Sequence, residues 1–346
     1  MSLSSNRGAI LEEVILCLLE RLGFRIVDAG EEGTKLGTAG LEVPGRGELH
    51  QIDAFAAFDF TPPFVYPLRL LFEAKCYSGD RPVGIEVVRN AVGVLKDISE
   101  NYFSSPPQRE DAYAVKMPRF NFVSAIFSTS GYTDNAQRYA VAHQIFLVQY
   151  RNNFLFEPIS QALLSLTEND FKKPYRKGET ATMKVRQFLR SKLKGENPNE
   201  VPFSQQGLLK FQNITGSLAK IHGSYFGMLQ GRWPIHLLSA RTLPTRVFAG
   251  RDNIACRVYG RVGNTWSFVP LNGNEASPDW FRLEFDLPDE IARLVQDARG
   301  DRQEIARLKM EHFSFIALSG MIGGVRRQIR LELDEAWITQ YLERRT

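Results

Sequence analysis

The stretch GRGELHQIDAFAAFD (45–59), followed after a Pro-rich turn by LRLLFEAKCYSGDRPVGIEVVRNAVGVLKDI (68–98), decides how this chain is read. Two apolar runs bounded by turn residues predict neighbouring strands, from about His50 to Asp59 and from about Leu68 to Tyr77. The period then changes, and Ile85, Val88, Val92 and Leu95 recur on one helical face. Side chains alternate along a strand, so Glu73 and Lys75 share a face while Phe72, Ala74 and Cys76 point the other way. With Asp53 on the neighbouring strand facing the same side, two carboxylates and an ammonium converge on one small volume.

That set has a chemistry. Mg²⁺, or the similar Mn²⁺, takes oxygen ligands, usually one or two carboxylates, and completes its shell with water and substrate phosphate. Asp53 and Glu73 supply the carboxylates. Lys75 then stands beside the attacking water with three roles open to it: orienting the water, accepting its proton, or balancing charge on phosphorus. An isolated ExK triplet is ordinarily a solvated strand face. Here its strand is apolar up to Glu73, a strand with its own acid precedes it, and a helix follows.

Working outward, residues 8 to 24 predict a helix with Ile10, Val14, Cys17 and Leu18 at helical spacing and Gly23 as its stop. Glu12 and Glu13 lie near its start, where the helix dipole favours acids. Phe24 to Asp28 reads as a short strand and 30 to 47 as a loop, with Gly45 and Gly47 allowing a sharp turn ahead of Asp53. His50 is ordinarily a structural hydrogen-bonder; positioning water or phosphate is the sharper reading. The run Phe122 to Ser128 predicts a buried strand. Its tip, Ser128, Thr129, Ser130 and Gly131, suits either a phosphate or turn chemistry before a helix capped near Thr133. A helix from Asn135 to His143 and a strand from Ile145 to Tyr150 complete the pattern.

Four pieces, GAILEEVILCLLERLGF (8–24), GRGELHQIDAFA (45–56), LLFEAKCYSGDRPVGIEVVRNAVGVL (70–95) and FSTSGYTDNAQRYAVAHQIFLV (127–148), stand in a telling order. Over about residues 8 to 150 the chain resembles the Mrr-like branch of the PD-(D/E)xK nucleases. The resemblance implies a restriction-endonuclease-like αβββαβ core with a mixed sheet. It implies catalytic positions at Asp53, Glu73 and Lys75, with Glu12 as an acid that the first helix adds to the metal site. Ile52 stands where the family's nominal proline would be, TPPFVYP (61–67) lengthens the hairpin, and 99 to 120 reads as an insertion.

Composition agrees with a globular protein of two domains: 346 residues, 43% hydrophobic and 24% charged. No run of about 18 apolar residues predicts a membrane span, and the N-terminus lacks a signal-peptide layout; the expectation is a cytoplasmic protein with no membrane partner. The three cysteines, Cys17, Cys76 and Cys256, form no CxxC pair, which argues against a zinc site or a disulfide framework. A net charge of +4 permits a nucleic-acid partner without requiring one.

Beyond Gln161 the character changes. From Lys172 to Lys194 stand Lys172, Lys173, Arg176, Lys177, Lys184, Arg186, Arg190, Lys192 and Lys194 against the single acid Glu179. Such a run neutralises phosphates, with Lys172, Lys173, Arg176 and Lys177 as contacts, or forms a solvated linker helix over about Thr182 to Leu193. GENPNEVP (195–202) marks a boundary. Afterwards, strand-like runs (225–229, 235–239, 254–262, 266–271, 280–285, 312–318), a helix over Pro288 to Ala298, and a closing strand and helix predict a mostly antiparallel α+β module.

The expectation is therefore an α/β nuclease domain over 1–165, a basic linker or helix over 166–202, and a β-rich domain over 203–346 for DNA recognition, oligomerisation as a homodimer, or a protein partner. The activity implied is a Mg²⁺- or Mn²⁺-dependent DNA endonuclease of restriction or genome-defence type. The alternative is a catalytically silent nucleic-acid-binding protein on the same scaffold. A third class, an assembly protein working only through its C-terminal half, predicts no effect of divalent ions on nucleic acid.

Overall fold

The computed structural model describes residues 3–37, 41–58, 64–105, 115–117, 119–172, 180–198, 200–229, 233–260, 265–271, 274–298 and 300–343. The chain divides into two compact units. One holds Met1–Ser128, Tyr132–Leu147 and Leu166–Gly207, the other Thr129–Gly131, Val148–Ser165 and Leu208–Thr346.

In the first unit α1 (Leu3–Leu22) starts earlier than the periodicity suggested, buries Ile10, Val14 and Leu18, and ends where Gly23 takes a left-handed φ of 92°. β1 (Phe24–Ile26) follows. The segment expected to be loop contains β2 (Lys35–Leu36) and β3 (Leu41–Pro44), which form a small antiparallel sheet with β4 (Leu49–Gln51). The strand expected over 50–59 is broken: the Ile52 amide turns aside to the Leu41 carbonyl (2.9 Å), and β5 (Ala54–Phe58) begins afresh. Asp53 is left at the head of β5, outside its ladder.

β6 (Leu68–Lys75), α2 (Ile85–Ser99), β7 (Phe103–Ser105), β8 (Val115–Met117), β9 (Asn121–Ser128), α3 (Asp134–Ala142) and β10 (Ile145–Gln149) come next. The main sheet has the order β1-β5-β6-β9-β10. β5 and β6 are antiparallel and β6 and β9 parallel, so the sheet is mixed, and α2 lies in the crossover that a parallel pair requires. The Thr133 hydroxyl caps α3 by accepting from the Ala136 amide at 3.3 Å. On one sheet face Phe55, Ala57 and Leu71 form a core cluster with Ile98 of α2; Ile126, Val88, Ala136 and Ile145 form another.

α4 (Glu157–Ser165) belongs to the second unit, while α5 (Ala181–Leu193), capped by Thr180 accepting from the Met183 amide at 3.1 Å, packs on α1 in the first. After α6 (Gln205–Ala219) the second unit is built on β11 (Gly223–Leu229), β12 (Trp233–Ser239), β13 (Asn253–Gly260), β14 (Thr265–Pro270), β15 (Leu283–Asp286), α7 (Asp289–Asp297), α8 (Arg302–Phe313), β16 (Phe315–Ile322), β17 (Val325–Leu333) and α9 (Glu335–Glu343). Among the described residues seven strands close into a barrel, β11-β12-β15-β14-β13-β17-β16, in which β13 and β17 pair parallel and the other neighbours antiparallel. A mostly antiparallel module was expected; closure was not, because strand patterns do not reveal neighbours far apart in sequence. The expected strand start at His312 falls instead in α8.

The second unit buries a polar network around His236: the Tyr150 hydroxyl lies 2.6 Å from its Nδ1, and the Ser224 hydroxyl 2.8 Å from its Nε2. All three are buried, and Phe226 stacks on the imidazole, so His236 is a satisfied core histidine. Among the described residues no helix is long and apolar enough to cross a membrane.

Candidate functional site

β5 and β6 pair with Ala54 opposite Phe72 and Phe55 opposite Leu71. One step beyond the ladder, the same register sets Asp53 at the level of Glu73. Phe55 and Leu71 belong to the cluster that α2 covers. With period two, Glu73 and Lys75 continue that face along β6, while Asp53 stands just ahead of β5. The polar residues thus stand at the open end of a face that is otherwise core. Lys75 Nζ ion-pairs with Glu73, both about a quarter exposed (22% and 25%). Burial alone would lower the Lys75 pKa, but the Glu73 carboxylate outweighs it and the net shift is upward, so Lys75 is an ammonium here.

α1 brings Glu12 to the same place. Its side chain is 5% exposed, and burial raises its pKa to about 7 against the opposing pull of Arg186. Arg186, on α5, ion-pairs with Glu12 and holds its Nη2 3.9 Å from Oδ1 of Asp53. One turn later Arg190 places Nε 3.0 Å from both carboxylate oxygens of Glu13, and its Nη1 lies 3.1 Å from Asp28. The Thr182 hydroxyl donates to Asn6 of α1 at 2.8 Å. Lys184 pairs with Glu200. Three of the nine basic residues, Lys184, Arg186 and Arg190, are therefore spent on acids of their own unit. The sequence held one signal for this: adjacent glutamates inside the apolar pattern of α1, which burial obliges to find partners.

Glu12, Asp53, Lys75 and Arg186 line a cleft of about 340 Å³ together with Ser4, Ser5, Gln51 and Thr182. Glu73 does not line it directly and meets it through Lys75. Among the described residues no three His, Cys, Asp or Glu side chains are gathered as a metal cluster. Yet Glu12 and Asp53 already flank one cation, the Arg186 guanidinium. Two oxygen donors around a positive charge, opening on a hydroxyl-lined cleft, form a donor set that fits a hard divalent ion keeping waters in its shell.

The other candidates separate. His50 Nε2 lies 2.7 Å from Oδ2 of Asp97, whose carboxylate also receives the Gly47 amide at 3.0 Å. A Cβ on Gly45 would stand 1.9 Å from that carboxylate, so close approach rather than φ requires glycine there. This clamp shapes the turn leading into β4. Ser128 (0% exposed) and Thr129 (5%) are buried. Lys172 is exposed. Lys173, Arg176 and Lys177 lie outside the described residues.

No family model matches the chain, and no curated protein does. A solved structure described as a protein of unknown function is similar over 54% of this chain and 100% of its own, at 12% identity and a TM-score of 0.28. A likeness of that size carries no conclusion about fold or chemistry.

Proposed function

We propose that the first unit is a divalent-metal-dependent DNA endonuclease with a restriction-endonuclease-like core, related to the Mrr-like branch of the PD-(D/E)xK nucleases. The observation that carries this reading is that Glu12 of α1, Asp53 at the head of β5 and Lys75 of β6 line one cleft, with Glu73 ion-paired to Lys75. The antiparallel β5–β6 pair, the parallel β6–β9 pair and helices α1 and α2 support the fold assignment.

Asp53 and Glu12, with Glu73 behind them, would hold Mg²⁺ or Mn²⁺. When bound, the ion supplies Lewis-acid stabilisation of the phosphoryl oxygens and a more acidic water. Hydrolysis forms a bond from the water oxygen to phosphorus and breaks one ester P–O bond, the leaving oxygen ending protonated. Lys75, paired with Glu73, donates hydrogen bonds and balances the charge that builds on phosphorus. Ser4 and Ser5 offer hydroxyls to the phosphate.

A second reading, a silent nucleic-acid-binding protein, has one observation in its favour: Arg186 engages Glu12 and approaches Asp53. Incubating the protein with supercoiled, linear, methylated and single-stranded DNA separates the two. The nuclease reading expects Mg²⁺- or Mn²⁺-dependent products that chelation prevents. Binding without products under every condition favours the silent protein.

A further inference from the structure

Resting on the nuclease reading, we propose that Arg186 is a substrate-phosphate ligand that holds Glu12 and Asp53 in the free protein and yields them to the divalent cation as it passes to the phosphate.

The first support is competition for the same oxygens. The guanidinium pairs with Glu12 and stands 3.9 Å from Asp53. A divalent cation bound to these carboxylates would face it at contact distance, so the two cations occupy the place in turn.

The second is donor capacity. Arg186 carries five N–H groups in a planar fork that matches phosphate oxygens. Its Nε is buried with no hydrogen-bond partner, while the side chain lines the cleft beside Lys75 and Thr182. A phosphate oxygen in the cleft gives that donor an acceptor.

The third is anchoring. Arg190 on Glu13 and Thr182 on Asn6 fasten α5 to α1 on either side of Arg186. The backbone stays in place, and the transfer needs only the rotatable side chain.

The fourth is charge. With Glu12 in the ionised form that pairs with Arg186, Glu12, Asp53 and Glu73 against Arg186 and Lys75 leave one formal negative charge. A divalent cation alone overshoots to one positive, and a phosphodiester's single negative charge restores neutrality. Metal and nucleic acid therefore bind this site cooperatively, each raising the affinity of the other by the same factor.

Calorimetric titration of Mn²⁺ into the full chain without DNA tests this, with Arg186→Met, Arg186→Lys and Asp53→Asn beside wild type. Arg186→Met should bind Mn²⁺ about tenfold more tightly than wild type, with a retained thermal transition. In Ca²⁺, its duplex binding should lose roughly one unit of the log K against log salt slope, whereas in chelator its slope should match wild type. Arg186→Lys keeps a cation without the fork, and should hold Mn²⁺ affinity near wild type while weakening duplex binding in Ca²⁺. Should Arg186→Met not fold, this variant decides: wild-type duplex affinity in Ca²⁺ overturns the proposal. Equal or weaker Mn²⁺ binding by Arg186→Met also overturns it, provided Asp53→Asn loses Mn²⁺. If Asp53→Asn binds Mn²⁺ as wild type does, the nuclease reading itself falls.

Discussion

The Nε of Arg190 lies 3.0 Å from each carboxylate oxygen of Glu13, whose side chain is only 2% exposed. This pair fastens α5 to α1 and sets Arg186 over the cleft one turn earlier. Burial pushes the Glu13 pKa up, and the guanidinium pulls against it. Arg190→Ala strands the carboxylate; because Arg190 is 34% exposed, solvent screens part of the pair. The expected loss is about 2 kcal/mol by urea denaturation followed with far-UV circular dichroism, below the usual cost of breaking a buried pair. Arg190→Ala combined with Glu13→Leu should regain most of it.

The Gly45–Asp97 approach gives a second expectation. Gly45→Ala puts a methyl 1.9 Å from the Asp97 carboxylate and should cost about 1–3 kcal/mol, the range for forced overpacking.

Asp97 also supplies a pH test. The His50 hydrogen bond, then the Gly47 and Glu48 amides, hold its pKa below the ordinary 3.8. A depressed folded value means that the stabilisation is present above pH 3.8 and fades as pH falls through the folded value. Wild type should exceed Asp97→Asn in stability at pH 5.5, with the difference shrinking at pH 3. A constant difference would deny the charged clamp.

His236 tests the second unit. Burial pushes its pKa from 6.5 down to about 3, so the folded state keeps it neutral while the unfolded chain binds a proton. Stability should therefore be intact above pH 6.5 and fall by at most about 1.4 kcal/mol per pH unit towards pH 3 from this group. All four tryptophans, Trp233, Trp266, Trp280 and Trp337, stand in the second unit, so tryptophan emission follows it. His236→Leu should be less stable at pH 7, since Tyr150 and Ser224 lose their partner, yet flatter with pH.

Much of the first unit was legible because it is local. Period two puts Glu73 and Lys75 on one face without any knowledge of the fold, and their ion pair follows. Gly23 and Thr133 mark helix ends through φ and a cap bond, both short-range physics. The partners of the basic stretch were not legible. Arg186 and Glu12 are 174 positions apart, and a docked basic helix has the same composition as a solvated one. The break at Ile52 depends on Leu41, within a stretch that looked like loop. Barrel closure depends on Asn253 pairing in parallel with Arg330. Neither leaves a periodic trace.

Cleavage of supercoiled plasmid by wild type and Asp53→Asn in Mg²⁺, with duplex binding and the thermal transition measured on the same samples, tests the central claim most directly. The expected result is Mg²⁺-dependent nicking or linearisation by wild type, and none above the protein-free control by a folded, DNA-binding Asp53→Asn. A folded Asp53→Asn that cuts at the wild-type rate, or a wild type that binds DNA and never cuts it, would contradict the account.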